Sequence, residues 1–297
     1  MRILVTGREG QVVTALVERG ALHPDIVIEP LGRPDLDLAD TAAIAAAIVA
    51  ARPDVIVSAA AYTAVDLAET ETATAHAVNA LAPGEIGKAA AHLGVPVVHL
   101  STDYVFDGSK AAPYEETDPV APLGVYGATK REGEVALAAA TADHAILRTA
   151  WVYSPFGKNF LKTMLRVAMT RDHLTVVDDQ VGNPTSALDI ADAVITVARN
   201  LATRSDPDLR GVFHMTGSGE ASWADFAVEI FDVSRAAHGP SAEVKRIPTR
   251  DYPTPAKRPA NSRLDCSRLA RIHGVTLPDW KISTAAVVRR ALDAAQS

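Results

Sequence analysis

Short apolar runs recur through the first 180 residues, and they constrain the fold more than any other feature. They lie at 2–6, 26–28, 54–57, 95–100, 145–148 and 174–177. Each is too short for a helix and rich in Val, Ile and Leu, as expected of strands buried on both faces. Between them lie segments that predict helices over 11–20, 40–51, 66–80, 83–94 and 159–171, with a break near Pro83 because proline cannot donate to the helix ladder. This succession predicts an α/β architecture, a doubly wound parallel sheet with helices on both faces. Beyond 180 the alternation weakens. Helices are expected over 186–200 and 222–234, the second with Ser222 as its N-cap, and a strand over 211–215. Four prolines between 247 and 259 predict an extended segment. With 297 residues the chain can bury a large core. The expected organisation is a unit over 1–150 and a smaller C-terminal α/β lobe over 151–297, some segments of which return to the sheet.

Open sheets of this kind hold ligands beyond the carboxyl ends of their strands. After the first strand comes Gly7-Arg8-Glu9-Gly10-Gln11-Val12-Val13. Glycines at that place let backbone N–H groups and a helix N-terminus face a phosphate; a plain β-to-α turn is the other reading. Val13 stands where a third glycine usually lets helix and strand pack closely. After the second strand comes Leu31-Gly32-Arg33-Pro34-Asp35-Leu36-Asp37. NAD needs a carboxylate on its ribose hydroxyl there, whereas NADP needs an arginine and no competing carboxylate. Gly32 falls at the carboxylate position and Arg33 follows it, which favours NADP. Glu29 is the counter-candidate, and a surface loop charge is the other reading of Arg33. After the fourth strand Thr102 brings a hydroxyl to a strand end. Tyr126 and Lys130, four residues apart, share a helix face. A cation beside a phenol lowers its pKa, so Tyr126 is expected to exchange a proton with a carbonyl or alcohol oxygen that Thr102 also hydrogen-bonds, given a nicotinamide alongside. Alone, Tyr126 and Lys130 read as a packed aromatic and a solvated charge. The order of glycine loop, strand-end Thr102 and Tyr–Lys pair is what favours chemistry.

The formal net charge of −7 argues against a nucleic-acid surface. Cys266 is the only cysteine, which excludes an intrachain disulfide or a Cys-based zinc site. The nine histidines lack metal-ligand spacing, and His92 and His99 are expected to be structural. The N-terminal apolar run is broken too early, at Gly7, for a signal peptide, and no apolar run reaches membrane-spanning length. A cytoplasmic protein without membrane or nucleic-acid partners is expected.

The order of motifs resembles the extended short-chain dehydrogenase/reductases. The matching segments are Leu4-Val5-Thr6-Gly7 with Gly10-Gln11, Ala59-Ala60-Ala61-Tyr62-Thr63-Ala64-Val65-Asp66, Ser101-Thr102-Asp103-Tyr104-Val105-Phe106-Asp107-Gly108 and Tyr126-Gly127-Ala128-Thr129-Lys130. Further on come Leu147-Arg148-Thr149-Ala150-Trp151-Val152-Tyr153, Gly157-Lys158-Asn159-Phe160, Asp179-Gln180-Val181-Gly182-Asn183-Pro184-Thr185 and Arg258-Pro259-Ala260-Asn261-Ser262. The Tyr–Lys pair marks the superfamily. The stretch from Ser101 and the late segments resemble its branch that reduces the 4-keto group of dTDP-4-dehydro-β-L-rhamnose to dTDP-β-L-rhamnose.

That resemblance implies a Rossmann-type fold, a nucleotide-sugar substrate and NADPH, with NADH as the other nicotinamide donor. It makes Tyr126 the proton donor, Lys130 the residue that tunes it and holds the nicotinamide ribose, and Thr102 the partner of the keto oxygen. Gly7, Gly10 and Gln11 would hold the pyrophosphate, and Arg33, Asp37, Ala60, Ala61 and Tyr62 the rest of the cofactor. Val105, Phe106 and Trp151 would line the sugar pocket, with Asn159, Arg258 and Asn261 also toward the substrate. Read from the residues alone, Arg258 and Arg263 are candidates for gripping a diphosphate, rim charges being the other reading. Family members are often homodimers, some with magnesium (Mg2+) at the interface, for which no ligands stand out here. Two positions depart from the pattern: Val13, and Ser58 in place of an asparagine. Sugar dehydratases of the superfamily carry Thr-Asp-Glu at the strand end; Tyr104 takes the Glu position here, which speaks against elimination. The alternatives are a reductase of another 4-keto nucleotide sugar and a non-catalytic NADP-binding regulatory subunit of the same fold. Intact Thr102, Tyr126 and Lys130 speak against the second.

Overall fold

The computed structural model describes residues 1–296. In chain order the first half comprises β1 (Arg2–Thr6), α1 (Gln11–Gly20), β2 (Val27–Leu31), α2 (Thr41–Ala51), β3 (Val55–Ser58), α3 (Val65–Ala68), α4 (Thr72–His76), α5 (Ala82–Leu93), β4 (Val97–Thr102), α6 (Val125–Ala140) and β5 (His144–Thr149). The second half comprises β6 (Val152–Tyr153), α7 (Phe160–Ala168), β7 (His173–Val177), β8 (Val181–Gly182), β9 (Thr185–Ser186), α8 (Ala187–Thr203), β10 (Gly211–His214), β11 (Ala221–Ser222), α9 (Trp223–Ala236), β12 (Glu243–Ile247), α10 (Ser267–His273) and α11 (Trp280–Gln296).

Six strands form one parallel sheet in the order β10-β5-β4-β3-β1-β2. The period-2 geometry of a strand sends alternate side chains to opposite faces. Ile3, Val5, Val55, Val57, Val98, Ala145 and Leu147 meet α1, α8 and α10 on one face. Leu4, Ile56, Val97 and Ile146 meet α2, α5 and α6 on the other. Both faces are covered, so the inner strands are largely apolar, with buried polar residues such as His99 and Arg148 toward their carboxyl ends. A second core lies among α7, α9, α11 and β7, built from Leu161, Leu165, Leu174, Phe226, Phe231 and Val288. The sheet order reverses at β1 and β3, the position at which such folds bind ligands.

Several expectations change. β2 and β4 run on to Leu31 and Thr102, past the ends anticipated for them. The helix does not break at Pro83. Residues 77–81 form a wider i→i+5 turn that joins α4 to α5, and Pro83 sits at the start of α5, where a missing N–H costs least. The break falls instead between α3 and α4. The strand β12 was not anticipated, because Glu243-Val244-Lys245-Arg246-Ile247 is mostly charged; it is an edge strand paired in parallel with β7. Neither α10 nor α11 was anticipated.

Candidate active site

A cleft of ≈ 1220 Å³ opens at the carboxyl ends of β1, β3 and β4. Gly7, Gly10, Gln11, Arg33, Asp37, Ala60, Ala61, Tyr62, Tyr126 and Lys130, all expected at the cofactor, line it, and so do Thr102, Trp151 and Asn159. The Gly7 amide donates to Leu31 O (2.7 Å), and a Cβ on Gly32 would stand 3.0 Å from the Gly7 backbone. A carboxylate-bearing residue therefore has no room at Gly32 unless the glycine loop moves. The rival Glu29 lies outside the cleft lining, held by Arg2 at 2.9 and 3.0 Å. Val13 is buried beneath the loop, its Cγ2 3.3 Å from where a Gly7 Cβ would be, and α1 still begins at Gln11.

The N-terminus of α1 has Gly10 as its cap residue, no side-chain cap and no acid in its first turn. Its free N–H groups and dipole fit a phosphate. Among the cations of the cleft, Arg8 pairs with Asp35, whereas the side chains of Arg33 and Lys158 have no ion-pair or hydrogen-bond partner among the described residues. Together with the cleft volume, this donor set fits a dinucleotide. Gln11 Oε1 accepts from Ser154 Oγ (2.7 Å) and Asn159 Nδ2 (2.9 Å), so the loop before α7 is latched to the glycine loop. Asn159 also caps α7 through Oδ1 (3.0 Å). Its amide is thus committed beside the glycine loop.

Deeper in the cleft, Thr102 ends β4. Its Oγ1 accepts from Tyr104 N (3.2 Å) and donates to Asp103 Oδ1 (2.9 Å), which starts a tight turn over Asp103–Val105. Lys130 is 2 % exposed; its Nζ donates to Leu100 O (2.7 Å) and stands 3.5 Å from His99 Nε2. Burial lowers the Lys130 ammonium to about 8, and the Glu134 carboxylate only partly restores it. Tyr126 keeps some surface open to the cleft although it sits deep in the protein. Its depth lifts the phenol above the ordinary range, opposed by a hydrogen bond with Thr102 and reinforced by Asp103. The expected lowering by Lys130 is absent, because Lys130 directs its charge at Leu100 O. The phenol is therefore held as O–H. Asp103 is buried, with Oδ2 unpartnered, and burial raises its carboxyl to about 6 against the Ser262 and Thr102 hydroxyls.

Five residues expected at the substrate are engaged elsewhere. Val105 and Phe106 do not line the cleft; they are 0 % and 1 % exposed in a small core with Tyr114 and Leu264. In the tight turn each residue rotates by about 120°, which leaves Asp103 and Tyr104 on the cleft and sends the next residues inward. Asn261 donates to Lys110 O (2.6 Å) and Ala112 O (2.9 Å), so its amide pins a loop. Arg258 lies outside the lining, held by Asp66 (3.0 Å) and the Tyr104 hydroxyl (3.4 Å). Arg263, the other diphosphate candidate, is taken up by Glu220 (3.0 Å) and Asn261 (2.8 Å).

Sequence reasoning missed Asn79, and it expected His99 to be structural without placing it beside Lys130. Asn79, 1 % exposed on the widened turn, accepts from Tyr62 N (2.8 Å) and donates to Tyr62 O (3.1 Å), pinning the loop after β3. An asparagine inside an alanine-rich helix was its signal. His99, a lone polar residue in an apolar strand, bonds Ser58 Oγ at 3.0 Å. Burial, and then the Lys130 charge, hold it neutral by lowering its pKa well below the usual range. Among the described residues no cluster of His, Cys, Asp and Glu is gathered to hold a metal ion, and no helix is long and apolar enough to cross a membrane.

The RmlD substrate binding domain family matches residues 1–292. A dTDP-4-dehydrorhamnose reductase of Sinorhizobium fredii is 54% identical over 288 residues, 97% of each chain. The crystal structure of a dTDP-4-dehydrorhamnose reductase from Clostridium acetobutylicum superposes with a TM-score of 0.90 at 37% identity, covering 100% of both chains. That of the Bacillus anthracis enzyme in complex with NADP gives 0.87 at 31% identity, covering 96% of this chain and 98% of the other.

Proposed function

The chain belongs to the RmlD substrate binding domain family, and from that premise we propose that it is an NADPH-dependent oxidoreductase that reduces the 4-keto group of dTDP-4-dehydro-β-L-rhamnose to give dTDP-β-L-rhamnose. The observation that carries the reading is the meeting of Thr102, Tyr126 and Lys130 in a cleft that also holds an uncapped helix N-terminus. When bound, NADPH supplies the hydride. Gly7, Gly10 and Gln11 would hold its pyrophosphate with Lys158, Arg33 its ribose phosphate, and Asp37, Ala60, Ala61 and Tyr62 the remainder.

Tyr126 gives its proton to the 4-keto oxygen as charge develops there. A phenol raised above its ordinary pKa keeps that proton until an alkoxide, a much stronger base, demands it. Thr102 turns its hydroxyl from Asp103 toward the same oxygen. Lys130, fixed by Leu100 O, orients the nicotinamide ribose beside Tyr126. Trp151 walls the sugar. The sheet unit, mainly 1–150, serves the cofactor and the later segments the nucleotide sugar, in a cytoplasmic homodimer.

NADPH oxidation is measured with dTDP-4-dehydrorhamnose generated in situ from dTDP-glucose. Substrate-dependent oxidation with a rhamnosyl product of the right mass is expected. NADPH binding without turnover would leave a reductase of another 4-keto nucleotide sugar or the binding-subunit reading.

A further inference from the structure

Trp151 has a backbone φ of +48°, a region that bulky side chains rarely adopt. Its indole lies almost face to face on that of Trp223, with ring centroids 3.6 Å apart and planes 7° from parallel. Face-to-face overlap is not the arrangement two free indoles choose, since their like-charged faces repel. The surroundings impose it. On one side a Cβ at Gly182 would come within 2.6 Å of Trp151 Cε2, so β8 presses on the ring edge. Thr185 N donates to Trp151 O (3.2 Å) and anchors its backbone. On the other side, the Trp223 indole N–H donates to Gln180 Oε1 (3.2 Å), and Gln180 Nε2 donates to Thr249 Oγ1 (3.0 Å). Phe160 packs against Trp223 at 4.7 Å. Trp223 is the first residue of α9, whose start is fixed by a reciprocal Ser222–Asp225 capping box. Trp151 reaches the cleft; Trp223 does not line it.

We propose that Trp223 is a positioning residue for nucleotide-sugar binding: it holds Trp151 in its left-handed conformation so that the Trp151 indole forms a rigid wall of the sugar site. The inference rests on the proposed reductase reading. Without the Trp223 face, Trp151 loses the contact that offsets its backbone strain, and the indole leaves the wall. Gly182 has the complementary role, because any side chain there pushes the same indole out.

The test uses the full chain with NADPH. Two stacked indoles give an exciton couplet in circular dichroism. It is expected in the wild type, lost in Trp223→Phe and Trp151→Phe, and kept in Trp280→Phe. Trp223→Ala is expected to raise KM for dTDP-4-dehydrorhamnose about tenfold, with kcat changed less than about threefold and the NADPH Kd unchanged. Trp223→Phe, which keeps a flat face, restores most of KM. Gly182→Ala raises KM similarly with Trp223 intact, and stands in should Trp223→Ala not fold. Unchanged KM in Trp223→Ala or Gly182→Ala, no couplet in the wild type, or parallel loss of NADPH binding each overturns the proposal. Absence of turnover in the wild type itself overturns the reductase reading, and the proposal with it.

Discussion

Helix α6 buries charge at two levels one turn apart and treats it in opposite ways. At the lower level, Glu134 accepts from Ser101 Oγ (2.6 Å), Arg148 Nε (2.9 Å), Arg148 Nη2 (2.8 Å) and Arg131 Nη1 (2.8 Å). Burial alone would raise its carboxyl, but Arg148, Ser101 and Arg131 hold it below the usual range. One turn earlier, Lys130 is as deeply buried, yet it has one carbonyl and a neutral histidine at its ammonium, and its pKa falls to about 8. Asp103, in the turn that follows β4, keeps an unpartnered oxygen. The carboxylate of Glu134 is saturated, although Arg148 Nη1 has no hydrogen-bond partner, and it ties α6 to β4 and β5. Unsaturated charge costs stability and retains the capacity to act on a ligand.

The sharpest way to separate the two levels is Tyr126→Phe. It should lower turnover by about 10²–10⁴-fold while the NADPH Kd, read by fluorescence, stays within about twofold. Comparable turnover would remove the mechanism. Next in size, Glu134→Ala should destabilise the fold by about 3–5 kcal/mol in urea titration, because it leaves Arg148 buried without its carboxylate. Replacing both Glu134 and Arg148 by Met should recover much of that loss, and failure to do so would show that the pair itself, not the orphaned charge, matters.

Lys130→Met should act in the reverse sense on stability. With an unfolded pKa of about 10.4 and a folded one near 8, the unfolded chain binds more protons between those values. Wild-type stability should therefore rise as pH rises through that window. Lys130→Met removes the penalty, stabilising the fold at pH 7 by about 1–3 kcal/mol and flattening that rise. Wild-type turnover should fall as pH climbs through about 8, when Lys130 loses its charge. A turnover profile flat to pH 9 would exclude Lys130 as the group responsible.

The smallest effects belong to Arg33 and Lys158 at the other end of the cleft. Arg33→Ala should weaken NADPH about tenfold and leave NADH unchanged, whereas Lys158→Met should weaken both equally, because both carry the pyrophosphate. Equal loss of NADPH and NADH in Arg33→Ala would show that it does not meet the ribose phosphate.

The sheet, the glycine loop, the strand-end hydroxyl and the Tyr126–Lys130 face were legible in the residues alone. These are local: buried strands read as apolar runs, a turn into a helix needs glycine, and four residues make one helical turn. All the residues expected at the cofactor reach the cleft for that reason. Packing between distant segments set where Val105 and Phe106 point, what Asn261 and Arg263 bind, that Lys130 faces Leu100 rather than tuning Tyr126, and that Trp223 backs Trp151. Each of those outcomes depends on a partner distant along the chain, 72 positions away for Trp151 and Trp223. Side-chain direction within a tight turn, and the pKa of a buried group, follow from what packs against it, and no local pattern encodes that neighbour.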